Sequence, residues 1–97
     1  MVKWTRPALR DLKNIHDYIA DDSATYAKRV SNEIFHRATI LNQFPRIGRM
    51  VPEFGDESVR ELLIYSYRII YHLLPSKLEV LAVIHARRAL RPEMLEK

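Results

Sequence analysis

Residues 59–85, VRELLIYSYRIIYHLLPSKLEVLAVIH, contain the pattern that decides the fold. Three runs in this segment are rich in β-branched and aromatic residues, as strands are: Val59–Ile64, Tyr67–Leu73 and Leu78–His85. The links between them, Tyr65-Ser66 and residues 74–77, are as short as the loops of β-hairpins. The segment therefore predicts three consecutive strands in an antiparallel meander.

Alternation along the middle strand predicts which side of the sheet meets the core. Because successive strand residues point to opposite sides, four apolar or aromatic side chains share one face: Tyr67, Ile69, Tyr71 and Leu73. Arg68, Ile70 and His72 share the other face. We expect the first face to be covered and the second to lack cover, which places Arg68 on an open, concave surface.

Upstream of the sheet, apolar residues recur at helical spacing. Residues 8–20 and about 24–44 each carry one apolar stripe, and Val2-Lys3-Trp4 alternates like a short first strand. Asp21-Asp22-Ser23 separates the two helices and offers an N-cap to the second. So short a connection predicts an antiparallel helical hairpin.

Proline and glycine mark residues 45–58 as a loop, and a final short helix is expected within residues 86–96. The predicted order is β-α-α-β-β-β. This is an α+β fold in which an antiparallel sheet packs on the N-terminal helical hairpin. A chain of 97 residues has room for one core, so residues 1–97 are expected to form a single domain.

Composition excludes several kinds of site. Without cysteine, the chain has neither a disulfide framework nor a thiolate metal site. The histidines lack metal-site spacing and no Gly-rich phosphate loop occurs, so neither a metal nor a cofactor is expected. The N-terminus lacks a signal-peptide pattern and no apolar run is long enough to span a membrane, which predicts a soluble cytoplasmic protein. A formal charge of +4 suits either phosphates or an acidic protein partner.

Basic residues collect where the last predicted strand ends, at His85-Ala86-Arg87-Arg88. Together with Arg68 on a neighbouring strand, this group has the donors needed to hold a phosphate or an acidic helix. The same arginines are also compatible with simple solvation of a sheet edge. The pattern alone favours that simpler interpretation.

Four strings carry a resemblance to a known family: Arg60-Glu61-Leu62, Tyr67-Arg68-Ile69-Ile70-Tyr71, Leu81–Arg88 and Phe44–Arg49. Together with the helical hairpin, they resemble the RelE/ParE superfamily of type II toxin–antitoxin toxins, and ParE-like members more closely. The resemblance covers nearly the whole chain. It implies a growth-inhibiting toxin, of the kind linked to plasmid stabilization, in a hetero-oligomer with an acidic antitoxin. The antitoxin would lie in apolar grooves beside the helical hairpin.

Two molecular targets are known among members of this superfamily. RelE-like members cut ribosome-bound mRNA, and the residues that a nuclease would use here are Arg60, Arg68, His85 and Arg87. Glu61 stands where such members have a lysine, and a carboxylate there would repel a phosphate. No tyrosine follows Tyr71, although such members have one near the C-terminus. Whether Arg60 shares a face with Arg68 depends on the hairpin register, which the sequence leaves open.

ParE-like members lack the ribonuclease set and poison DNA gyrase by protein–protein contact, without being enzymes. The resemblance therefore favours gyrase over the ribosome and mRNA. The expected target-contact residues are Arg68, His85, Arg87, Arg88, Leu90 and Met94. A third interpretation is a binding module that no longer harms the cell.

Overall fold

The computed structural model describes residues 1–91 as two helices and a five-stranded sheet. The elements in chain order are β1 (Val2–Trp4), α1 (Arg6–Ala20), α2 (Ala24–Thr39), a 3-10 turn (Ile40–Asn42), β2 (Arg49–Met50), β3 (Val59–Ile64), β4 (Tyr67–Leu73) and β5 (Leu78–His85). The sheet order is β1-β5-β4-β3-β2. The predicted α+β fold, helical hairpin and meander are thereby confirmed. Neither helix in this part of the chain has the length and apolar content needed to cross a membrane.

The two edges of the sheet were not fully foreseen. β1 runs parallel to β5, so the sheet is mixed and not wholly antiparallel. Thr5 holds this edge in place, because its backbone N–H and its hydroxyl both donate to the carbonyl of Val80, at 3.1 and 2.8 Å. At the other edge, β2 pairs with Arg60 and Glu61 of β3. This two-residue strand lies inside the segment that the sequence predicted to be a loop.

Local capping explains where the helices begin and end. The Thr5 hydroxyl accepts a hydrogen bond from the Ala8 N–H, and the Ser23 hydroxyl accepts one from the Tyr26 N–H. Each satisfies one of the free N–H groups at a helix start. α2 ends at Thr39, earlier than the predicted Phe44, because the chain tightens into the 3-10 turn.

The helical hairpin covers one face of the sheet and forms the main core. Its buried residues come from both layers: Ala8, Val30, Ile34, Ala38, Leu41, Leu62, Ile69, Tyr71, Leu78, Val80 and Val83. The ring of Trp4 stacks on Phe35 of α2 at a centroid distance of 5.3 Å, joining the first strand to the hairpin. Tyr71 and Ile69 therefore face the core, as the alternation along β4 predicts.

A bulge in β5 changes which residues face the helices. Tyr71 pairs with Val80 while Ile70 pairs with Ala82, so Leu81 has no partner on β4. One extra residue shifts the alternation of side chains. Val80 and Val83 consequently both face the helices although they are three residues apart.

The second face of the sheet is covered, and the expectation of an open face is wrong. A second apolar cluster buries Val59, Ile70, Ala82 and Ile84 beneath Val51, Phe54 and Leu90. Three strands contribute apolar side chains to this face, and removing those side chains from water is favourable. The β2–β3 connection and the segment after β5 therefore fold over the face. The predicted final helix does not begin within residues 86–91, which form a turn and an irregular segment. The rest of that prediction lies outside the described residues.

Candidate functional site

Arg68 is buried on the second face of the sheet between two carboxylates. Its guanidinium is bidentate with Glu53, with both N–O distances at 2.8 Å, and its Nε lies 2.5 Å from a carboxylate oxygen of Glu61. The other oxygen of Glu61 lies 2.5 Å from Nε of Arg49. We call Glu53, Arg68, Glu61 and Arg49 the ionic chain. Its charges alternate in sign and sum to zero.

The register of the β3–β4 hairpin decides which residues join this chain. Leu63 pairs with Arg68 and Glu61 pairs with Ile70, so Glu61 and Arg68 share a face as diagonal neighbours. Arg60 pairs with Tyr71 and belongs to the opposite face. The question that the sequence left open is thereby answered, because Arg60 does not join Arg68.

Arg60 instead forms a hydrogen bond with the segment that leads into β2. Its guanidinium donates to the carbonyl of Gly48 at 2.8 Å, and the Tyr71 hydroxyl accepts from the Gly48 N–H at 3.0 Å and donates to the Pro45 carbonyl at 2.9 Å. A Cβ at residue 48 would lie 2.5 Å from both the Glu61 carbonyl oxygen and the Tyr71 hydroxyl. Only glycine fits this close approach.

The ion pairs shift the pKa values of their members. Hydrogen bonds from Arg68, and then from the Leu90 N–H, lower the pKa of Glu53 to about 2. The carboxylates raise the pKa of Arg68 above its ordinary value. Glu53 and Arg68 therefore remain charged at every physiological pH.

Two members of the ionic chain, Arg68 and Glu53, also hold the segment that follows β5. Arg68 donates to the carbonyl of Arg88 at 3.0 Å, and Glu53 accepts from the N–H of Leu90 at 2.9 Å. Leu90 itself is 4% exposed and packs in the second apolar cluster. Leu90 was expected to contact a target, but its side chain is a buried anchor, and Arg68 is likewise shielded from solvent.

Three of the sequence-predicted site residues do lie together on the surface. His85, Arg87 and Arg88 are exposed in the turn that ends β5. The Arg88 N–H donates to the His85 carbonyl at 2.9 Å, and the Arg87 N–H contacts Nδ1 of His85 at 3.2 Å. We call these three residues the strand-end group. The sixth predicted residue, Met94, lies outside the described part of the chain.

A hollow of about 500 Å³ joins the strand-end group to α1. His85 and Arg88 line it with Asn14 and Asp11 of α1, and the Asp11 carboxylate accepts from the Val83 N–H at 3.0 Å. Burial raises the pKa of Asp11, although the Val83 hydrogen bond opposes this shift. α1 is thus tied to β5 beside the exposed arginines.

An adjoining hollow of about 400 Å³ has an aromatic lining that the sequence did not reveal. Four of the five tyrosines meet there with His85: Tyr18, Tyr26, Tyr65 and Tyr67. Tyr67 contacts His85 edge-on at a centroid distance of 5.9 Å, and Tyr18 is 80% exposed. We call these four tyrosines and His85 the tyrosine cleft. The available signal was Tyr18, which the predicted apolar stripe of α1 does not include.

Comparisons with known proteins agree with this geometry. The model of a family described as the ParE toxin of the type II toxin–antitoxin system, parDE, matches residues 2–90. Toxin RelE2 of Caulobacter vibrioides is 32% identical over 88 residues, which cover 90% of this chain and 96% of that protein. A chain from the chromosomal ParDE TA system from P. aeruginosa has a TM-score of 0.75 at 22% identity, covering 89% of this chain and 95% of that one.

The family model and Toxin RelE2 each match most of the chain, which places it among the small toxins of the RelE/ParE superfamily. Within that superfamily, the chain belongs to the ParE toxin family of type II toxin–antitoxin systems.

Proposed function

We propose that this toxin inhibits growth by binding DNA gyrase through its strand-end group, and that an acidic antitoxin neutralises it. The sequestration of Arg68 carries this proposal. Four hydrogen bonds, to Glu53, Glu61 and the Arg88 carbonyl, occupy its guanidinium, and the residue is 5% exposed. A nuclease needs a strand cation that can stabilise charge developing on a phosphate. Arg68 is not available for that task.

The strand-end group suits a protein interface. Arginine and aromatic residues are enriched among the residues that dominate binding energy at such interfaces. Arg87 and Arg88 are exposed, and His85 connects them to the tyrosine cleft. In this proposal Arg68 and Leu90 support the contact surface from beneath, and Met94 remains an expected contact.

The antitoxin is proposed to lie across the tyrosine cleft beside the helical hairpin. The cleft is adjacent to Arg88, and the chain carries a net formal charge of +4. An acidic segment with an apolar anchor would complement both features. Because His85 lies in both the cleft and the strand-end group, a bound antitoxin would also obstruct target contact.

A pair of assays on the same protein tests the target. Purified toxin should inhibit supercoiling by gyrase or trap gyrase–DNA cleavage complexes, and added antitoxin should reverse the effect. Induction in a sensitive bacterium should raise DNA-damage signalling. If primer extension instead reveals codon-phased cuts in ribosome-bound mRNA, with gyrase unaffected, the gyrase proposal is wrong.

A ribosome-dependent nuclease is the second candidate, favoured by the similarity to Toxin RelE2 and by the exposed strand-end group. With Arg68 sequestered and Arg60 on the opposite face, the candidate nuclease residues that remain exposed are His85 and Arg87. A third candidate, a harmless binding module, predicts that induction without antitoxin causes no growth arrest.

A further inference from the structure

Two tethers hold the chain on either side of Ala89. The Arg88 carbonyl is bound by the Arg68 guanidinium at 3.0 Å, and the Leu90 N–H is bound by the Glu53 carboxylate at 2.9 Å. Arg68 and Glu53 are themselves joined by a bidentate ion pair. The Arg68–Glu53 pair therefore binds the backbone at both ends of residues 88–90.

The other end of the same turn is also held. The Ala86 N–H donates to the Ser66 carbonyl at 2.7 Å, which ties it to the β3–β4 turn. Between this anchor and the tethers lie only Arg87 and Arg88. Their side chains project from a short bridge of backbone whose two ends are both restrained.

We propose that Glu53 and Arg68 are positioning residues that hold Arg87 and Arg88 in the geometry needed for target binding. This inference rests on the proposed function only in treating Arg87 and Arg88 as target contacts. Charge-assisted and bidentate hydrogen bonds are stronger and more directional than neutral ones, which suits this task. Glu53 comes from the β2–β3 connection and Arg68 from β4, so the grip depends on the tertiary fold and not on the turn itself.

The ionic chain provides a matched control at its far end. Arg49 pairs with Glu61 through a 2.5 Å contact, whereas the hydrogen bonds to residues 88–90 come from Arg68 and Glu53. Glu53→Gln and Arg49→Gln each remove one ion pair from the same chain. Only Glu53→Gln weakens the grip on the Arg88–Leu90 backbone.

Amide hydrogen exchange on the purified toxin tests the grip without reference to any target. In Glu53→Gln the Leu90 amide should exchange about tenfold or more faster than in the wild type, since its acceptor loses its charge. In Arg49→Gln the Leu90 rate should stay within about twofold of the wild-type rate. Equal acceleration in both variants, or in neither, would overturn the inference. If Glu53→Gln does not fold, Glu53→Asp provides the same comparison, because its side chain is one methylene shorter and should lengthen both contacts.

Function is then measured on the same variants at matched folded fractions. Gyrase inhibition by Glu53→Gln should fall by about tenfold or more, whereas Arg49→Gln should retain wild-type inhibition. If wild-type toxin arrests growth without affecting gyrase, the proposed target is wrong, and growth arrest replaces gyrase inhibition as the measurement. Faster Leu90 exchange with undiminished inhibition or arrest would show that the grip has no positioning role. If the wild type does neither, Arg87 and Arg88 have no target contact to support, and the inference is overturned.

Discussion

Glu53 accepts hydrogen bonds from a guanidinium on one side and from a backbone N–H on the other. A carboxylate with such donors binds a proton far less readily than a free one. The folded structure therefore stabilises the ionised form of the Glu53 carboxyl group. Water screens part of the interaction between the partly exposed Glu53 and Arg68, so losing this partner costs less than breaking a fully buried ion pair. Arg68 is more buried than Glu53 and is the more sensitive position of the two.

The stability of the fold should depend on pH through Glu53. Its pKa is lowered from 4.5 to about 2 in the folded chain, so its contribution is present above pH 4.5 and is lost as the pH falls towards 2. In Glu53→Gln, the slope of unfolding free energy against pH should be smaller across this window, by less than the one-proton limit of about 1.4 kcal/mol per pH unit because water screens the partly exposed carboxylate. Urea unfolding at pH 5, 4 and 3 measures both slopes. Parallel slopes would contradict the prediction.

At the scale of the elements, the β3–β4 turn contains one residue with an unfavourable backbone conformation. Tyr65 has a φ of 54°, and it is the only non-glycine residue with positive φ in residues 1–91. A bulky side chain in this region is strained. Its hydroxyl donates a hydrogen bond to Glu33 of α2, so the same residue joins the turn to the helical hairpin and lines the tyrosine cleft.

Tyr65→Gly should stabilise the fold by about 1 kcal/mol, since glycine adopts positive φ without steric cost. The lost hydrogen bond to Glu33 is exposed and offsets little of this gain. The same change should weaken antitoxin binding, because the cleft loses an aromatic wall. Thermal unfolding and calorimetric titration measure the two effects, with Tyr65→Phe as the control that removes the hydrogen bond and keeps the aromatic ring. A Tyr65→Gly variant with lower stability and unchanged antitoxin affinity would contradict both parts.

The elements themselves were largely predictable from local patterns, and their exceptions have physical causes. The period of apolar residues gave the helical hairpin and the β3–β4–β5 meander. β2 is too short to have a period of its own, and it exists because Arg49 and Met50 meet β3 in space. The bulge at Leu81 leaves no mark in a strand where nearly every residue is buried.

The candidate site was predictable only in part, for a related reason. Alternation correctly placed Arg68 opposite the main core, but alternation does not report what covers a face. Glu53 lies in an irregular segment, so no sequence spacing links it to Arg68. The strand-end group was recognised because it is contiguous in sequence, whereas the tyrosine cleft gathers residues from four separate places along the chain.

At the scale of the whole molecule, mutations in the exposed contact surface should reduce toxicity without reducing the stability of the fold. Replacing Arg87 and Arg88 with alanine should reduce toxicity on the order of tenfold or more, because exposed arginines are frequent energetic centres of interfaces. Stability should change by only about 0.5 kcal/mol, since both side chains are exposed. Growth arrest on induction and thermal unfolding of the purified protein measure the two quantities.

Arg68→Ala serves as the comparison for that double mutant. It should lower stability strongly by leaving Glu53 and Glu61 without their shared partner. Its toxicity is therefore compared only at temperatures where the protein is folded. Toxicity that survives in the Arg87/Arg88 double mutant but is lost in folded Arg68→Ala would point to RNA cleavage instead of gyrase contact.

The sheet order also determines when the domain can form during translation. Among the strands of residues 1–91, β5 is synthesised last, yet it lies inside the sheet between β1 and β4. A nascent chain that ends before Leu78 leaves β1 without its partner strand. It also lacks the Val83 N–H that donates a hydrogen bond to Asp11 of α1. A polypeptide that stops upstream of β5 should therefore not form this fold.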